Sequence, residues 1–494
     1  MNALPTNLYR ADQCRELDRR AIEKFGISAS ILMERAGAAA FNVLRETWPE
    51  ARRIAVMCGV GNNAGDGYVI ARLAHEQGLK VSVFQVGDAD KLPGDALAAL
   101  QRLLGMDVSP LAYQEQPLTD FDVIVDALLG TGLSGDVRSN FMLAINAVNQ
   151  AKVPVLAVDV PSGLNADTGM ICAAAVRAAA TVTFIGVKQG LLTGDAPDYT
   201  GRISFNDLSL PAEIYADLEP AAVRLDYAQR AGYLLPRART AHKGDCGHVL
   251  IVGGNVGMSG AVCLTGEAAL RTGAGLVSIA TRRLHAPLLS SRRPELMCHG
   301  VESGEELKEL SQRASVIAIG PGLGKDAWAQ AMVAMAVARN LPLVVDADAL
   351  NLLAHVPLQR HNWVLTPHPG EAARLLEMRV DGVQQDRFAA ARLLADRFTA
   401  TVVLKGAGTL VVPVKGEPGI CCAGNPGMAS GGMGDVLTGI IAALIAQGLE
   451  LQEAARLGVC LHAEAADLAV RGIGERGLLA SDLMGPIRRL ANPV

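Results

Sequence analysis

Gly424-Asn-Pro-Gly-Met-Ala-Ser-Gly-Gly-Met-Gly-Asp435 is a run of glycines and small residues that stops at a carboxylate. Directly after it, Val436, Leu437, Ile440, Ile441, Leu444 and Ile445 recur at helical spacing. The stretch reads as a glycine loop feeding a helix N-terminus. Free backbone N–H groups and the positive end of the helix dipole make such a place a site for phosphate or another anion. A carboxylate at its mouth could take a proton from a hydroxyl that attacks phosphorus. The plainer alternative is a turn in which Asp435 only caps the helix. Spacing alone leaves these two readings level.

Upstream of that loop, short apolar runs alternate with helical stretches. They are His248–Gly254, Leu276–Ala280, Ser315–Ile319, Leu343–Asp346, Trp363–Thr366 and Thr401–Leu404, followed by a hairpin of Thr409–Val414 and Ile420–Cys422. A helix near Leu451–Arg471 ends the series. An earlier series alternates in the same way. Helices at 8–24 and 28–47 lead to strands Arg53–Cys58, Lys80–Val86, Asp122–Asp126, Pro154–Asp159, Thr181–Ile185 and Arg202–Phe205, with helices near Tyr68–Gln77, Asp95–Leu104 and Phe141–Gln150 between them. Such alternation means mostly parallel α/β sheets with helices on both faces. In open sheets of this kind ligands bind at the carboxyl ends of strands. The pattern breaks over 208–236, where Leu210-Pro211, Glu219-Pro220 and Leu235-Pro236 punctuate a segment without periodicity. The boundary is placed at 225, giving domains 1–225 and 226–494.

Bulk composition narrows the class. The chain has 494 residues, of which 50% are hydrophobic and 19% charged, enough for two large cores. The net charge of −5 argues against a nucleic-acid or membrane surface as the main partner. No apolar run reaches membrane-spanning length, and the N-terminus lacks a signal-peptide pattern. Nine scattered cysteines without zinc spacing read as reduced core residues of a cytoplasmic protein.

The first series carries three glycine-rich turns after strands. Gly59-Val-Gly-Asn62-Asn63-Ala64-Gly65-Asp66-Gly67 satisfies G-x-G-x-x-A, the dinucleotide fingerprint, and Asp88 or Asp90 is spaced to reach a ribose. On that match alone a dehydrogenase is a fair reading. Asn62, Asn63 and Asp66 do not belong to the fingerprint, though; amides and a carboxylate on a glycine turn can hold a cation or polar ligand atoms. Asp126-Ala-Leu-Leu-Gly130-Thr131-Gly132-Leu133-Ser134-Gly135 and Asp159-Val-Pro-Ser162-Gly-Leu-Asn165 are the other two turns. One Asp at a strand end is usually a cap. Three such loops in register converge on one crevice.

These three motifs, with Leu32-Met-Glu-Arg-Ala-Gly37 before them, resemble the NAD(P)H-hydrate epimerase family over about residues 8–215. The resemblance implies a Rossmann-like three-layer domain that interconverts the R and S epimers of hydrated NADH and NADPH (NADHX and NADPHX). It implies a K+ site at Asn63, Asp126 and Ser162. It implies substrate contacts from Asn62, Asn63, Ala64, Gly65 and Asp66, from Gly130, Thr131, Gly132, Leu133, Ser134, Gly135 and Asp136, and from Asp159, which is the acid/base candidate. Ala64 departs from the glycine expected there.

The second series lacks a G-x-x-x-x-G-K-[ST] P-loop. Its candidates for holding phosphate are Lys405-Gly406-Ala407-Gly408-Thr409 and the loop ending at Asp435. Lys405 could equally be a lysine whose stem lies along apolar surface before a hairpin. Thr240–Gly247 forms a compact polar loop, and His368 lies between two prolines. HKGDCGHVLIVGG, IGPGLG, DADALN, TPHPGE, LKGAGT and GNPGMASGGMGD together resemble the ADP-dependent NAD(P)H-hydrate dehydratase family, of ribokinase-like fold, over about residues 226–490. The resemblance implies that Asp435 is the base for phosphoryl transfer from ADP to the hydrate hydroxyl, with Mg2+. It implies that Ala261, Gly322, Gly324 and His368 line the hydrate site, and that Lys405, Gly406, Ala407, Gly408, Thr409 and Gly434 hold the adenosine phosphate. The expected protein is a bifunctional nicotinamide-nucleotide repair enzyme, isomerase and lyase, working as a cytoplasmic homo-oligomer on small molecules. The alternatives are a pyrimidine- or thiazole-type kinase on the same fold and a scaffold built on the first domain.

Overall fold

Both strand–helix series become parallel sheets. The computed structural model describes residues 4–133, 135–356 and 358–493. Its contacts divide the chain into one unit ending at Val223 and a second beginning at Arg224.

In the first unit a seven-stranded sheet runs in the order Leu111–Ala112, Lys80–Gln85, Arg53–Cys58, Val123–Ala127, Val155–Val158, Ala180–Phe184, Arg202–Asn206, and every neighbouring pair is parallel. Period-two alternation divides the side chains between two cores. Ile54, Val56 and Cys58 pack on one face with the helices Ala29–Thr47 and Asn62–Glu76, and Ala55 and Met57 pack on the other. From Arg53–Cys58 the chain moves outward on one side of the sheet. It then returns to lay Val123–Ala127 on the other side. The strand order therefore reverses between these two strands, and the crevice at their carboxyl ends is the place where such sheets bind ligands.

Two local readings need correction. Residues 8–10 do not begin a helix. Asn7–Tyr9 is a strand paired with Val187–Lys188 and with Ala222–Val223, and the helix starts at Ala11, whose N–H donates to Asp167 Oδ1 at 2.7 Å. The helix expected from Tyr68 starts at Asn62, so the Asn62–Asp66 residues sit in its first turns rather than in a loop. The Asn-Asn-Ala-Gly-Asp composition hides that helix from propensity, because Asn, Gly and Asp are poor helix formers.

In the second unit the sheet runs from Met297–Gly300 through Leu276–Thr281, His248–Val252, Val316–Ile319, Leu343–Val345 and Trp363–Leu365 to Thr401–Leu404, all parallel. It then turns antiparallel through Thr409–Val412 and Gly419–Cys421. Its order reverses between His248–Val252 and Val316–Ile319, which puts the Gly253 and Gly320–Gly324 turns on either side of the second crevice. The edge strand Met297–Gly300 escaped sequence reading because Met-Cys-His-Gly holds no β-branched residue. The helix announced by the quoted loop is Met433–Ala446, buried on nearly every side, as its apolar run requires. It lies close against the helix Ser259–Thr272: a Cβ on Gly439 would fall 2.2 Å from the Thr265 carbonyl oxygen. That glycine is there for backbone approach.

Candidate active sites

The first crevice opens into a cavity of about 670 Å³. Asp159 follows the strand Val155–Val158 with a positive φ of 66°, a conformation that costs a non-glycine residue free energy and aims its carboxyl inward. Its Oδ1 accepts from the Lys188 ammonium, from Thr183 Oγ1 at 3.2 Å and from the Phe184 N–H at 3.3 Å. Lys188 is buried and also donates to Thr183 Oγ1 and to the Phe184 carbonyl oxygen at 3.0 Å. Burial works against its charge; Asp159 and its other acidic neighbours outweigh burial and hold its pKa above the ordinary lysine value. Sequence reading passed over Lys188. It ends a two-residue strand, and only the fold brings it to Asp159.

Of the implied substrate contacts, Asn62, Asn63, Asp66, Gly130, Thr131, Gly132, Leu133, Asp136 and Asp159 line this cavity. Ala64 is fully buried, and a Cβ on Gly65 would meet the Met33 sulfur at 2.4 Å; these two face the protein core rather than the cavity. Gly135 is not on the wall, and Ser134 lies outside the described residues. Asp88 caps a short turn by accepting from the Asp90 N–H and does not reach the cavity, so no ribose clamp forms there.

Asn63, on the cavity wall, adjoins Asp126 and Ser162 behind it. Asp126 accepts from Ser162 Oγ at 2.6 Å, the Ser162 N–H at 2.8 Å and the Leu128 N–H at 3.3 Å. Ser162 Oγ accepts from the Leu129 N–H at 2.8 Å, and Asn63 Nδ2 donates to the Leu129 carbonyl oxygen at 3.0 Å. Every partner of the wholly buried Asp126 is neutral, and burial pushes its pKa up to about 6. An all-oxygen donor set around a carboxylate that lacks a cationic partner fits a monovalent cation.

In the second unit the quoted loop ends as expected, with one refinement. Gly432, at a φ of 93°, is the cap, and Asp435 is the third helical residue. Asp435 is therefore not the N-cap. Asp467, on the helix Leu451–Val470, holds the start of the loop by accepting from the Gly424 N–H at 2.9 Å and from Asn425 Nδ2 at 2.8 Å. Beside the loop, Asp346 accepts from Lys405 Nζ at 2.7 Å and from Thr438 Oγ1 at 2.8 Å. A Cβ on Gly434 would fall 3.4 Å from Lys405 Nζ and 3.6 Å from Asp346 Oδ2, which places the anion loop directly on this pair.

Electrostatics separates the three carboxyls. Asp346 is deeply buried, yet the Lys405 ammonium holds its pKa below the usual carboxylate value. Burial and the Asp346 charge push Asp435 up to about 7, with Lys405 only partly opposing them. Burial also carries Glu371 to about 7. Glu371 accepts from the His368 N–H at 2.8 Å and lies 3.9 Å from Lys405 Nζ. The Gly370 N–H donates to His368 Nδ1 at 3.0 Å, so the neutral ring carries its proton on Nε2. Burial and the nearby cations keep the His368 pKa low.

The remaining motifs sort by which end of the sheet they occupy. A Cβ on Gly322 would lie 3.2 Å from Ala261 Cβ, and Gly324 donates its N–H to Asp348 Oδ2 at 2.9 Å, so these residues share the crevice wall next to the Asp346 turn. Gly406, Gly408 and Thr409 follow Lys405. The buried Arg387 fixes this turn by donating to the carbonyl oxygens of Leu404, Lys405 and Gly408. The Thr240–Gly247 loop is elsewhere: a Cβ on Gly247 would fall 2.0 Å from the Ala446 carbonyl oxygen, at the far end of the helix that Asp435 begins. Fourteen helical residues at 1.5 Å each separate the two ends by roughly 20 Å. A cavity of about 1060 Å³ near Tyr233, Arg237, Arg293 and Arg488 takes in Asp245 and Cys246 of the Thr240–Gly247 loop but not Asp346, Glu371, Lys405 or Asp435.

The chain has close relatives. The sequence model described as NAD(P)H-hydrate dehydratase matches residues 249–489, and the one described as YjeF-related protein N-terminus matches residues 29–190. A bifunctional NAD(P)H-hydrate repair enzyme of Coxiella burnetii is 50% identical over 99% of this chain and 100% of its own length. One from Escherichia coli is 45% identical over 99% of this chain and 95% of its own. Among solved structures, a ribokinase-like superfamily protein of Enterococcus faecalis is 31% identical with a TM-score of 0.50, covering 54% of this chain and 94% of its own. No helix among the described residues is long and apolar enough to cross a membrane. With an epimerase-type first domain and a ribokinase-like dehydratase second domain, the chain belongs to the bifunctional NAD(P)H-hydrate repair enzyme family.

Proposed function

We propose that the first unit epimerises NADHX and NADPHX at the hydrated ring carbon and that the second dehydrates the S epimer at the expense of ADP, giving NAD(P)H, AMP and phosphate. The observation that carries the dehydratase reading is the placement of Asp435. An unpaired carboxyl poised near neutrality stands at the mouth of an anion loop, with Lys405 beside it. Asp435 takes the proton of the hydrate's hydroxyl as that oxygen attacks the terminal phosphorus of ADP. The N–H groups at Gly431–Gly434 and the Lys405 ammonium hold the transferring phosphoryl group. Phosphate then leaves with the C–O bond electrons, and the ring nitrogen's lone pair followed by proton loss restores the dihydropyridine. Ala261, Gly322, Gly324 and His368 form the hydrate pocket; Lys405 to Thr409 and Gly434 hold the nucleotide. No cluster of three metal-binding side chains exists among the described residues. Glu371, beside Lys405, would help hold a Mg2+ that would neutralise phosphate charge when bound.

In the first unit Asp159 is the acid/base group and Lys188 fixes and charge-compensates it. Asn62, Asn63, Asp66, the Gly130–Asp136 loop and Asp159 contact the substrate; Asn63, Asp126 and Ser162 would hold K+, which would supply positive charge beside the buried Asp126. Nine unpaired cysteines support a reducing, cytoplasmic setting, and a homo-oligomer is the expected assembly. The test is to mix purified protein with NADPHX of both epimers and ADP. Near-ultraviolet absorbance of the dihydropyridine should return from both. No return sinks the assignment, and a stable phosphorylated product would favour a small-molecule kinase instead.

A further inference from the structure

The epimerase cavity holds more acid than its ion pair uses. Cys14, Asp18 and Ile22 line it from one stripe of the helix Ala11–Glu23, at i, i+4 and i+8, while Leu17 and Ala21 on the adjoining face pack in the core. An aspartate on that stripe is out of keeping with its apolar neighbours. Among the described residues, neither Asp18 nor Asp66 forms a hydrogen bond or ion pair through its carboxyl, although both line the cavity that contains Lys188 and Asp159. The helix that carries Asp18 is fixed at its first residue by Asp167, which belongs to the same loop as Ser162. The single ammonium is already committed to Asp159, Thr183 and the Phe184 carbonyl.

We propose that Asp18 is a second catalytic residue of the epimerase, the acid that protonates the departing hydroxyl, with Asp66 beside it and Asp159 as the base. This rests on the epimerase reading above. The step balances. The Asp18 proton passes to the C6 hydroxyl, the C6–O bond breaks, water leaves, and the ring nitrogen's lone pair forms a C6=N1 iminium. Water then adds to the other face of C6 and gives its proton to Asp159. Transfer of that proton back to the Asp18 carboxylate resets the site. The cationic iminium meets newly formed carboxylate charge where it arises. Burial pushes Asp18 up to about 6, with Asp159 adding and Lys188 opposing; burial also carries Asp66 well above the usual carboxylate range. A carboxyl whose protonated form burial favours thus shares the cavity with the lysine-paired Asp159, the separation of roles that acid–base catalysis requires. The other charged or titratable groups on the wall are Cys14, whose thiol burial holds near 11, and Arg15, Asp95, Asp136 and Arg138.

The experiment measures epimerisation of NADPHX by the full-length chain, without ADP and corrected for background, for wild type, D18N, D18E and D159N. D18N should lower kcat by roughly 10²-fold with KM changed less than about threefold. D18E should recover part of kcat, because it keeps a carboxyl that a purely structural role would not need. Wild-type kcat should fall as pH rises through about 6, and D18N should flatten that limb. Unchanged kcat and an unchanged alkaline limb in D18N, with D159N inactive, overturn the role of Asp18 alone. Full activity in D159N as well overturns the epimerase reading itself. Loss in D18N without any rescue by D18E also counts against the acid role.

Discussion

Each unit places a lysine–aspartate pair at the carboxyl end of a parallel sheet, Lys188 with Asp159 in the first and Lys405 with Asp346 in the second. The two pairs are used differently. In the first, the paired carboxylate is itself the proposed acid/base group; its side chain is 16% exposed, on the cavity wall. In the second, the paired carboxylate is 2% exposed and also anchored to Thr438, while the proposed base, Asp435, has no lysine ion pair among the described residues. Burial raises the pKa of Asp435, and the fixed negative charge of Asp346 adds to that rise. A lysine–aspartate pair can therefore include the proposed base or stand beside it and help poise a neighbour near neutrality. What decides is whether the reacting group is a member of the pair.

The strongest way to break this contrast is to remove each proposed base. D435N should lower NADPHX dehydration by roughly 10²–10⁴-fold and leave epimerisation intact, and D159N should do the reverse. Stopped-clock assays of the two reactions on each variant decide it. If either substitution lowers both activities, the division of labour between the units is wrong.

Next in size is the cost of orphaning each partner. Lys405→Met leaves Asp346 charged and sealed from water, a loss on the order of 3–5 kcal/mol. Lys188→Met leaves Asp159 at a cavity wall where water can reach it, so its cost should be smaller. Denaturant unfolding of the full chain, with each unit followed by its own activity, measures both. Equal losses would mean that Asp159 is as dry as Asp346 and would undo the argument from exposure.

The pH dependences should have opposite signs. Dehydration needs Asp435 ionised, so kcat/KM should fall about tenfold per unit as pH drops below about 7. Epimerisation should instead weaken as pH rises through about 6. Parallel profiles on one preparation would show it, and two limbs of the same sign would remove the contrast.

How far this was legible in the sequence follows from how local each feature is. The loop and helix around Asp435 were readable because glycines, the carboxylate and the apolar period lie within about twenty consecutive residues. The parallel sheets followed from alternation. Lys188, Arg387 and Asp467 were not legible, since each bonds to a residue distant in sequence that only the fold brings near, and Asp18 reaches the crevice only through the packing of its helix. Asp346 was seen only as a strand end, because nothing local distinguishes an aspartate that caps from one that holds a lysine. The Thr240–Gly247 loop shows the opposite limit of local reading. It has site-like composition but precedes its strand, and so lies at the amino end of the sheet, away from the crevice.

The smallest expected effect separates catalytic design from stability. Burial pushes the folded-state pKa of Asp435 up to about 7, well above the ordinary aspartate value. A carboxyl raised in this way contributes its stability below the unfolded pKa and loses it as pH rises through the folded one. At pH 8 the native state therefore carries a buried charge that the unfolded chain would hold in water. D435N removes that charge while keeping shape and volume. It should stabilise the second unit at pH 8 by on the order of 1 kcal/mol, or roughly 2–4 °C, and make no difference near pH 4. The calorimetric transition that shifts upward on adding ADP identifies the unit to follow. If D435N destabilises at pH 8 or acts equally at both pH values, then Asp435 is an ordinary helix-terminal carboxylate favoured by the dipole, and its separation from the paired Asp346 loses its meaning.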